Sequence, residues 1–185
     1  LHLAERPVAV KAVDTLWTHA KRGAMQAEEV LDLGAGALAV ESMRRLPDCE
    51  PLHARSCGLI SELAKSVRGA KVLGRAGAVA AVLAGMRAHR SFAHTQLAMW
   101  ALHQLLAFEP NVELLLAAGG VYTVEEAKAR FPSVRERQVM ELRKRRRLFV
   151  LREKRRIRAE LRRERERRAR DQRRRRLQED AALRV

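Results

Sequence analysis

Aromatic residues, cysteine and long apolar runs are all scarce in this chain of 185 residues. Aromatic side chains make up 4% of it, with a single tyrosine and a single asparagine, and there are only 10 glycines and 5 prolines. Strands favour aromatic and β-branched side chains, whereas Ala, Leu and Arg, which are abundant here, are strong helix formers. The composition therefore predicts an all-α fold.

The two cysteines, Cys49 and Cys57, exclude a disulfide framework, and neither has a Cys or His partner at metal-ligand spacing. We expect no metal site and a reducing, intracellular compartment. Charged residues interrupt every apolar run, so we expect no membrane partner. The sequence begins with Leu1 rather than Met, which is compatible with a removed targeting segment and permits a location in the mitochondrial matrix.

Catalytic patterns are also missing. No histidine forms a His-Glu-x-x-His motif or stands near an evident nucleophile, and the six histidines are dispersed, at positions 2, 19, 53, 89, 94 and 103. His89 and His94 flank a predicted turn between helices around Arg90-Ser91, where exposed polar residues are ordinary. We therefore predict a protein that is not an enzyme, with no catalytic residue, no cofactor and no small-molecule substrate.

One stretch argues for an enzyme. Val30-Leu31-Asp32-Leu33-Gly34-Ala35-Gly36 resembles the first motif of S-adenosylmethionine methyltransferases and a relaxed dinucleotide fingerprint. However, the segment 30–37 is echoed at 72–79 and again at 115–121, at intervals of about 41 to 43 residues. A cofactor loop has no reason to recur, whereas a helical solenoid turns the chain at the same place in each unit. These glycines are predicted to lie in turns between helices.

A second block also recurs, because Ser56–Leu63 aligns with Ala98–Leu105 at an offset of 42, and the apolar residues of each unit follow a helical period. The best unit, 68–110, contains Ala76-Gly77-Ala78-Val79, then a short helix ending near Met86-Arg87, and then Gln96-Leu97-Ala98-Met99-Trp100-Ala101-Leu102-His103-Gln104-Leu105. It resembles an armadillo repeat. That resemblance implies a short right-handed solenoid of three-helix units over residues 1–131, with partial units at both ends.

Armadillo repeats line a concave surface with their third helices, where the nuclear-import members bind extended peptides through a ladder of Trp and Asn. The matching positions here are Trp100 and Gln104 in one unit but Gly58 and Glu62 in the preceding one, so an import receptor is not expected. Trp100 and Gln104 are the candidate protein-docking residues. The alternative for Trp100, as for Trp17, is a packed side chain within the solenoid.

The positive charge is concentrated in the last third of the chain. The formal net charge is +16, yet residues 1–134 carry 15 Lys and Arg against 13 Asp and Glu, whereas residues 135–180 carry 22 against 9. Pro132-Ser133 with Glu136 forms a capping-box signal, and no glycine or proline follows. Residues 132–185 are therefore predicted to be a long basic helical extension, of roughly 70 Å from Ser133 to Glu179. Favourable i,i+4 pairs such as Glu164–Arg168 and Glu166–Arg170 support it.

An incomplete apolar stripe along the extension could pack on the last repeat or on a partner helix; it comprises Val139, Leu142, Phe149, Val150, Ile157 and Leu161. Unmixed basic clusters repel themselves and favour a polyanion. The candidate polyanion-binding residues are Arg143, Lys144, Arg145, Arg146, Arg147, Lys154, Arg155, Arg156, Arg173, Arg174, Arg175 and Arg176.

The arginine-rich, aromatic-poor extension suits backbone contact with structured RNA. The leading interpretation is a non-catalytic scaffold subunit whose solenoid docks to other proteins of a large complex and whose basic helix binds rRNA in a mitochondrial ribosome-like particle. The alternative is an armadillo-repeat scaffold of the ciliary axoneme, bound to microtubules through acidic tubulin. A third interpretation is a self-supporting charged helix that merely faces water.

Overall fold

A computed structural model describes residues 2–132, 150–151, 155–168 and 170 of the chain, with side chains from residue 6 onward. All regular secondary structure in these residues is helical, and no strand occurs among them. The predicted all-α class is confirmed. The chain divides into two compact units, Leu1–Leu142 and Arg143–Val185, which are described separately.

Nine helices lie within residues 2–132: α1 (His2–Ala20), α2 (Ala24–Asp32), α3 (Ala35–Arg45), α4 (Glu50–Leu63), α5 (Val67–Ala76), α6 (Ala78–Ala88), α7 (Phe92–Leu105), α8 (Pro110–Ala117) and α9 (Gly120–Arg130). None of the helices in the described residues is both long and apolar enough to cross a membrane alone. Helices α5 and α6 taken together have the length and apolar composition of a span, but they are bent by 69° relative to each other.

Three helical hairpins recur along the first unit, α2–α3, α5–α6 and α8–α9. Each turns at a glycine in the left-handed region, with φ of 75° at Gly34, 86° at Gly77 and 67° at Gly119, and no other described residue lies in that region. Glycine adopts this conformation without the clash that a Cβ would cause. The glycine segment that resembles a cofactor loop is therefore a helix–helix turn, and α2 rather than a strand precedes it.

The hairpins correct the repeat register by one residue. The sequence alignment paired Val30 with Val72, whereas the turn glycines pair Gly34 with Gly77, an offset of 43. The next offset, from Gly77 to Gly119, is 42. A longer helix follows the first two hairpins, α4 after α2–α3 and α7 after α5–α6.

The core lies between the hairpins and the long helices. The long helices pack side by side in the order α1, α4, α7, and the second helices of the hairpins pack in the order α3, α6, α9. Leu59 and Ile60 of α4 and Leu102 of α7 are completely buried. Cys57 is buried with them, which raises the pKa of its thiol to about 12. A hairpin and the long helix that follows it form a three-helix group. The buried apolar side chains hold adjacent groups together.

The only asparagine of the chain is a buried link between the second and third hairpins. The Nδ2 of Asn111, near the start of α8, donates to the carbonyls of Ala70 in α5 and Leu105 in α7, each at 2.8 Å. A Cβ at Gly74 would overlap the Asn111 side chain. Glycine is thus required at this point of α5 because the amide lies directly against its backbone.

In the second unit, residues 155–168 are helical and every one of their side chains is exposed. The predicted capping box at Ser133 and the basic clusters 143–147 and 173–176 lie outside the described residues, as does Lys154. Arg155 and Arg156 are described.

Candidate functional site

The accessible side of α4 and α7 forms one candidate docking surface, which we call the third-helix face. Its residues recur at helical spacing on both helices, so each set lies on one side of its helix. All of them are exposed or half-buried: Pro51, Arg55 and Glu62 on α4, and Leu97, Trp100 and Gln104 on α7.

Trp17 of α1 packs against α4, as predicted by the alternative of a packed side chain. Its indole lies over Gly58, where a Cβ would be 2.5 Å from Trp17 Cε2, so only glycine admits the ring. Two cations flank the same indole, with Lys21 Nζ at 5.0 Å and the Arg55 guanidinium at 5.6 Å from its centroid. Arg55 also bonds to Asp14, with Nε 3.2 Å from Oδ1. Trp17 therefore fastens α1 to α4 and is half-buried.

Trp100 lies in a different environment. It occupies the position on α7 that Gly58 has on α4, and 36% of its surface is exposed. Gln104 follows one turn later on the same side of α7 and is half-buried. An accessible indole beside an amide with a donor and an acceptor can contact both the side chains and the backbone of a partner.

Three histidines meet in the core, which corrects the expectation of dispersed histidines and of exposed residues at the turn before α7. His53 of α4, His89 after α6 and His94 of α7 are 3%, 7% and 0% exposed. Their ring centroids lie 4.6 Å apart for His53 and His89, 5.3 Å for His89 and His94, and 6.2 Å for His53 and His94. We call this group the histidine cluster.

Burial disfavours the charged forms of two members of the histidine cluster, His53 and His94. It lowers the pKa of His94 from 6.5 to about 4, and the neighbouring His89 and His53 act in the same direction, against a weaker opposite effect of Glu50. Burial also lowers the pKa of His53, whose Nε2 lies 3.3 Å from the carbonyl of Leu46. Charging either of these two rings in the protein interior is costly.

Several imidazole nitrogens of the cluster have no hydrogen-bond partner within the part of the chain that the structure describes: Nδ1 of His53, Nε2 of His89 and both nitrogens of His94. No group of His, Cys, Asp and Glu within the described residues is placed to hold a metal ion. Sequence spacing offered no sign of the cluster, because His53 is 36 residues from His89 and belongs to a different three-helix group. The lowered pKa values of His53 and His94 predict that this part of the core loses stability in acid.

The described part of the basic extension carries eight arginines against three glutamates in residues 155–168. Each glutamate pairs with an arginine one turn away: Glu160 with Arg156 (3.7 Å), Glu164 with Arg168 (2.6 Å) and Glu166 with Arg162 (3.1 Å). The predicted Glu164–Arg168 pair is thus present, whereas Glu166 pairs with Arg162 instead of Arg170. Exposed pairs of this kind stabilise a helix by about 0.3–0.5 kcal/mol each.

Three arginines that have no carboxylate partner among the described residues share one side of this helix. They are Arg155, Arg158 and Arg165, whose spacing of three and seven residues brings them into one row. We call them the arginine row. The described residues of the apolar stripe are accessible as well, since Val150, Ile157 and Leu161 are 40%, 46% and 50% exposed, whereas Val139, Leu142 and Phe149 lie outside the described residues.

No family model matches this chain, and no curated protein or solved structure is significantly similar to it.

Proposed function

We propose that this protein is a non-catalytic scaffold subunit of a large assembly, in which a short armadillo-like solenoid docks to other proteins and the basic extension binds a polyanion. The polyanion we propose is structured RNA, namely rRNA in a mitochondrial ribosome-like particle. The recurrence of hairpin and long helix, with left-handed glycines at Gly34, Gly77 and Gly119, supports the solenoid.

The third-helix face supports the docking role. It joins an accessible indole, Trp100, to polar and charged side chains at Arg55, Glu62 and Gln104. Tryptophan and arginine are enriched among the residues that dominate protein interfaces.

The arginine row is the observation that carries the RNA proposal. Arg155, Arg158 and Arg165 are exposed, lie on one side of a helix and are not neutralised by a described carboxylate. A row of guanidinium groups can bond successive phosphates, and each contact releases condensed counterions. The base-paired regions of RNA are recognised through such backbone contacts, without aromatic stacking.

A salt titration of the full-length protein on an rRNA stem-loop tests this proposal. The row variant carries Arg155→Gln, Arg158→Gln and Arg165→Gln. The matched control removes the same charge from the glutamate-paired arginines, through Arg156→Gln, Arg162→Gln and Arg168→Gln. We expect the row variant to lower the slope of log K against log salt by about two to three, because each arginine that no longer binds a phosphate lowers it by about one. The control should lower the slope by less.

An unchanged slope in the row variant would mean that these arginines face only water. Microtubules, titrated in parallel, test the axonemal alternative, because the acidic surface of tubulin is also a polyanion. Tighter binding to microtubules than to the stem-loop at physiological salt would replace the ribonucleoprotein proposal with that alternative. Co-purification of the endogenous protein with rRNA or with tubulin provides the corresponding cellular result.

A further inference from the structure

Two arginines make the same contact at successive hairpin junctions. Arg44, in the last turn of α3, donates Nη2 to the carbonyl of Ala76, the last residue of α5, at 3.0 Å. Arg87, in the last turn of α6, donates Nη2 to the carbonyl of Ala118, just after α8, at 2.6 Å. The last carbonyls of a helix lack partners within it. Each arginine therefore binds the free end of the first helix in the next hairpin.

The exposure of one side chain on the second helix differs between the first hairpin and the other two. Four residues after the turn glycine, α6 has Ala81 (7% exposed) and α9 has Thr123 (6% exposed), whereas α3 has Leu38 (59% exposed). Thr123 also accepts a hydrogen bond from Arg87 Nε at 3.1 Å. The first hairpin thus exposes a leucine at the position where the other two bury their side chain, and the second helices of those two hairpins each pack against that of the preceding hairpin.

The turn of the first hairpin is exposed as well. Leu33, which corresponds to Ala76, is 80% exposed. A Cβ added at Gly34 would meet no atom within 4 Å, whereas one added at Gly77 would overlap the Arg44 guanidinium. The terminal units of solenoids usually present a polar outer surface. Leu33 and Leu38 instead place two large exposed apolar side chains on this surface.

The hairpin at the opposite end of the series, α8–α9, has no arginine at the equivalent position. Arg44 and Arg87 each stand ten residues after their turn glycine, and Ala129 occupies that position after Gly119. Within the described residues, the repeated arginine position therefore does not continue into α9. Arg44 and Arg87 are both engaged within the chain, so among the described helices a second copy offers no unengaged arginine at this position.

We propose that Leu33, Gly34 and Leu38 form a docking surface, the open face, for a helical hairpin that is not among these 185 residues. The second helix of that hairpin packs on α3, over Leu38, as α3 itself packs on α6. It carries an arginine in its last turn, which donates to the carbonyl of Leu33 as Arg44 does to that of Ala76. This inference rests on the docking half of the proposed function and is independent of RNA binding.

The test supplies such a hairpin and measures whether position 38 becomes covered. A copy of residues 65–91, which contains α5 and α6, is joined ahead of Leu1, so that α1 follows the added hairpin as α7 follows α6. Leu38→Cys is introduced with and without the added hairpin. The native Cys49 and Cys57 are buried, so maleimide labelling reports position 38. We expect the added hairpin to slow labelling by at least about tenfold, because a side chain as covered as Ala81 reacts only during local opening.

Two controls accompany this measurement. Ala84→Cys, at an exposed site on α6, should label at the same rate with and without the added hairpin. Replacing the arginine of the added copy with alanine should restore part of the labelling rate at position 38. A rate at position 38 that the added hairpin leaves unchanged, including the case in which the added helices do not fold, overturns the inference.

A second copy as the occupant also overturns it, and would appear as concentration-dependent protection of position 38 together with a dimer in sedimentation that Leu38→Arg abolishes. The rRNA stem-loop titration is repeated on the same proteins. Loss of RNA binding with protection intact contradicts the RNA half of the proposed function alone, whereas loss of protection with RNA binding intact contradicts this inference alone.

Discussion

Acidification from pH 7.5 to pH 5 should destabilise the Leu1–Leu142 unit, because it protonates His53 and His94 in the unfolded chain before it does so in the folded one. The pKa of His94 falls from 6.5 to about 4 on folding. Between these values the unfolded chain binds more protons, so stability is complete above pH 6.5 and decreases as the pH falls towards 4. For His94 alone, these two pKa values give a loss of about 2 kcal/mol by pH 5.

Acidic side chains and carbonyl groups near the cluster favour protonation of His53 and His94 and so oppose the effect of burial. Glu50 favours protonation of His94, and Asp48 together with the carbonyls of Leu46 and Met43 favours protonation of His53. The lowered pKa values of both histidines mean that burial, reinforced by the adjacent rings, outweighs these groups. His53 adds to the loss in the same direction.

Urea unfolding followed by tryptophan fluorescence measures this loss, since both tryptophans lie in the Leu1–Leu142 unit. His94→Leu should reduce the difference between pH 7.5 and pH 5 by about 2 kcal/mol, because leucine does not titrate and fits an apolar site. His103→Leu, at a half-buried position on the same helix outside the cluster, is the matched control and should leave most of the difference in place. Equal pH dependence in the native protein and in His94→Leu would refute the reasoning.

Two further substitutions test the contacts between hairpins, with the same urea assay at pH 7.5. Asn111→Ala removes two buried hydrogen bonds and leaves the carbonyls of Ala70 and Leu105 unpaired, so the free energy of unfolding should fall by about 2–4 kcal/mol; a decrease below about 1 kcal/mol would contradict this role. Gly77→Ala forces a Cβ into the left-handed region and displaces the Arg44 guanidinium, which should cost about 1–2 kcal/mol. An unaffected urea midpoint for Gly77→Ala would show that the turn tolerates a side chain.

The helical class and the hairpin turns could be predicted from the sequence because they depend on local, repeated features. Composition alone favoured helices, and the recurring glycines marked Gly34, Gly77 and Gly119 as turns despite the resemblance of the first to a cofactor loop. The register was wrong by one residue because apolar residues neighbour each glycine on both sides, so that alignments shifted by one match almost equally well.

The histidine cluster could not be predicted in the same way. His53 reaches His89 and His94 only because α4 and α7 pack side by side, and nothing in the local sequence marks that approach. The arginine contacts did leave a usable signal, since Arg44 and Arg87 are separated by 43 residues, like the first two turn glycines. The charge distribution instead predicts functional arginines only in the extension.

The placement of Asn111 against Gly74 has a consequence for how the molecule can vary. The amide holds α8 to both α5 and α7, so the last hairpin cannot detach while those hydrogen bonds persist. A side chain at position 74 would expel the amide, and a larger residue at position 111 would lose its place beside the bare α5 backbone. Substitutions at positions 74 and 111 are therefore expected to be coupled in their effect on stability, which links the second and third hairpins in unfolding.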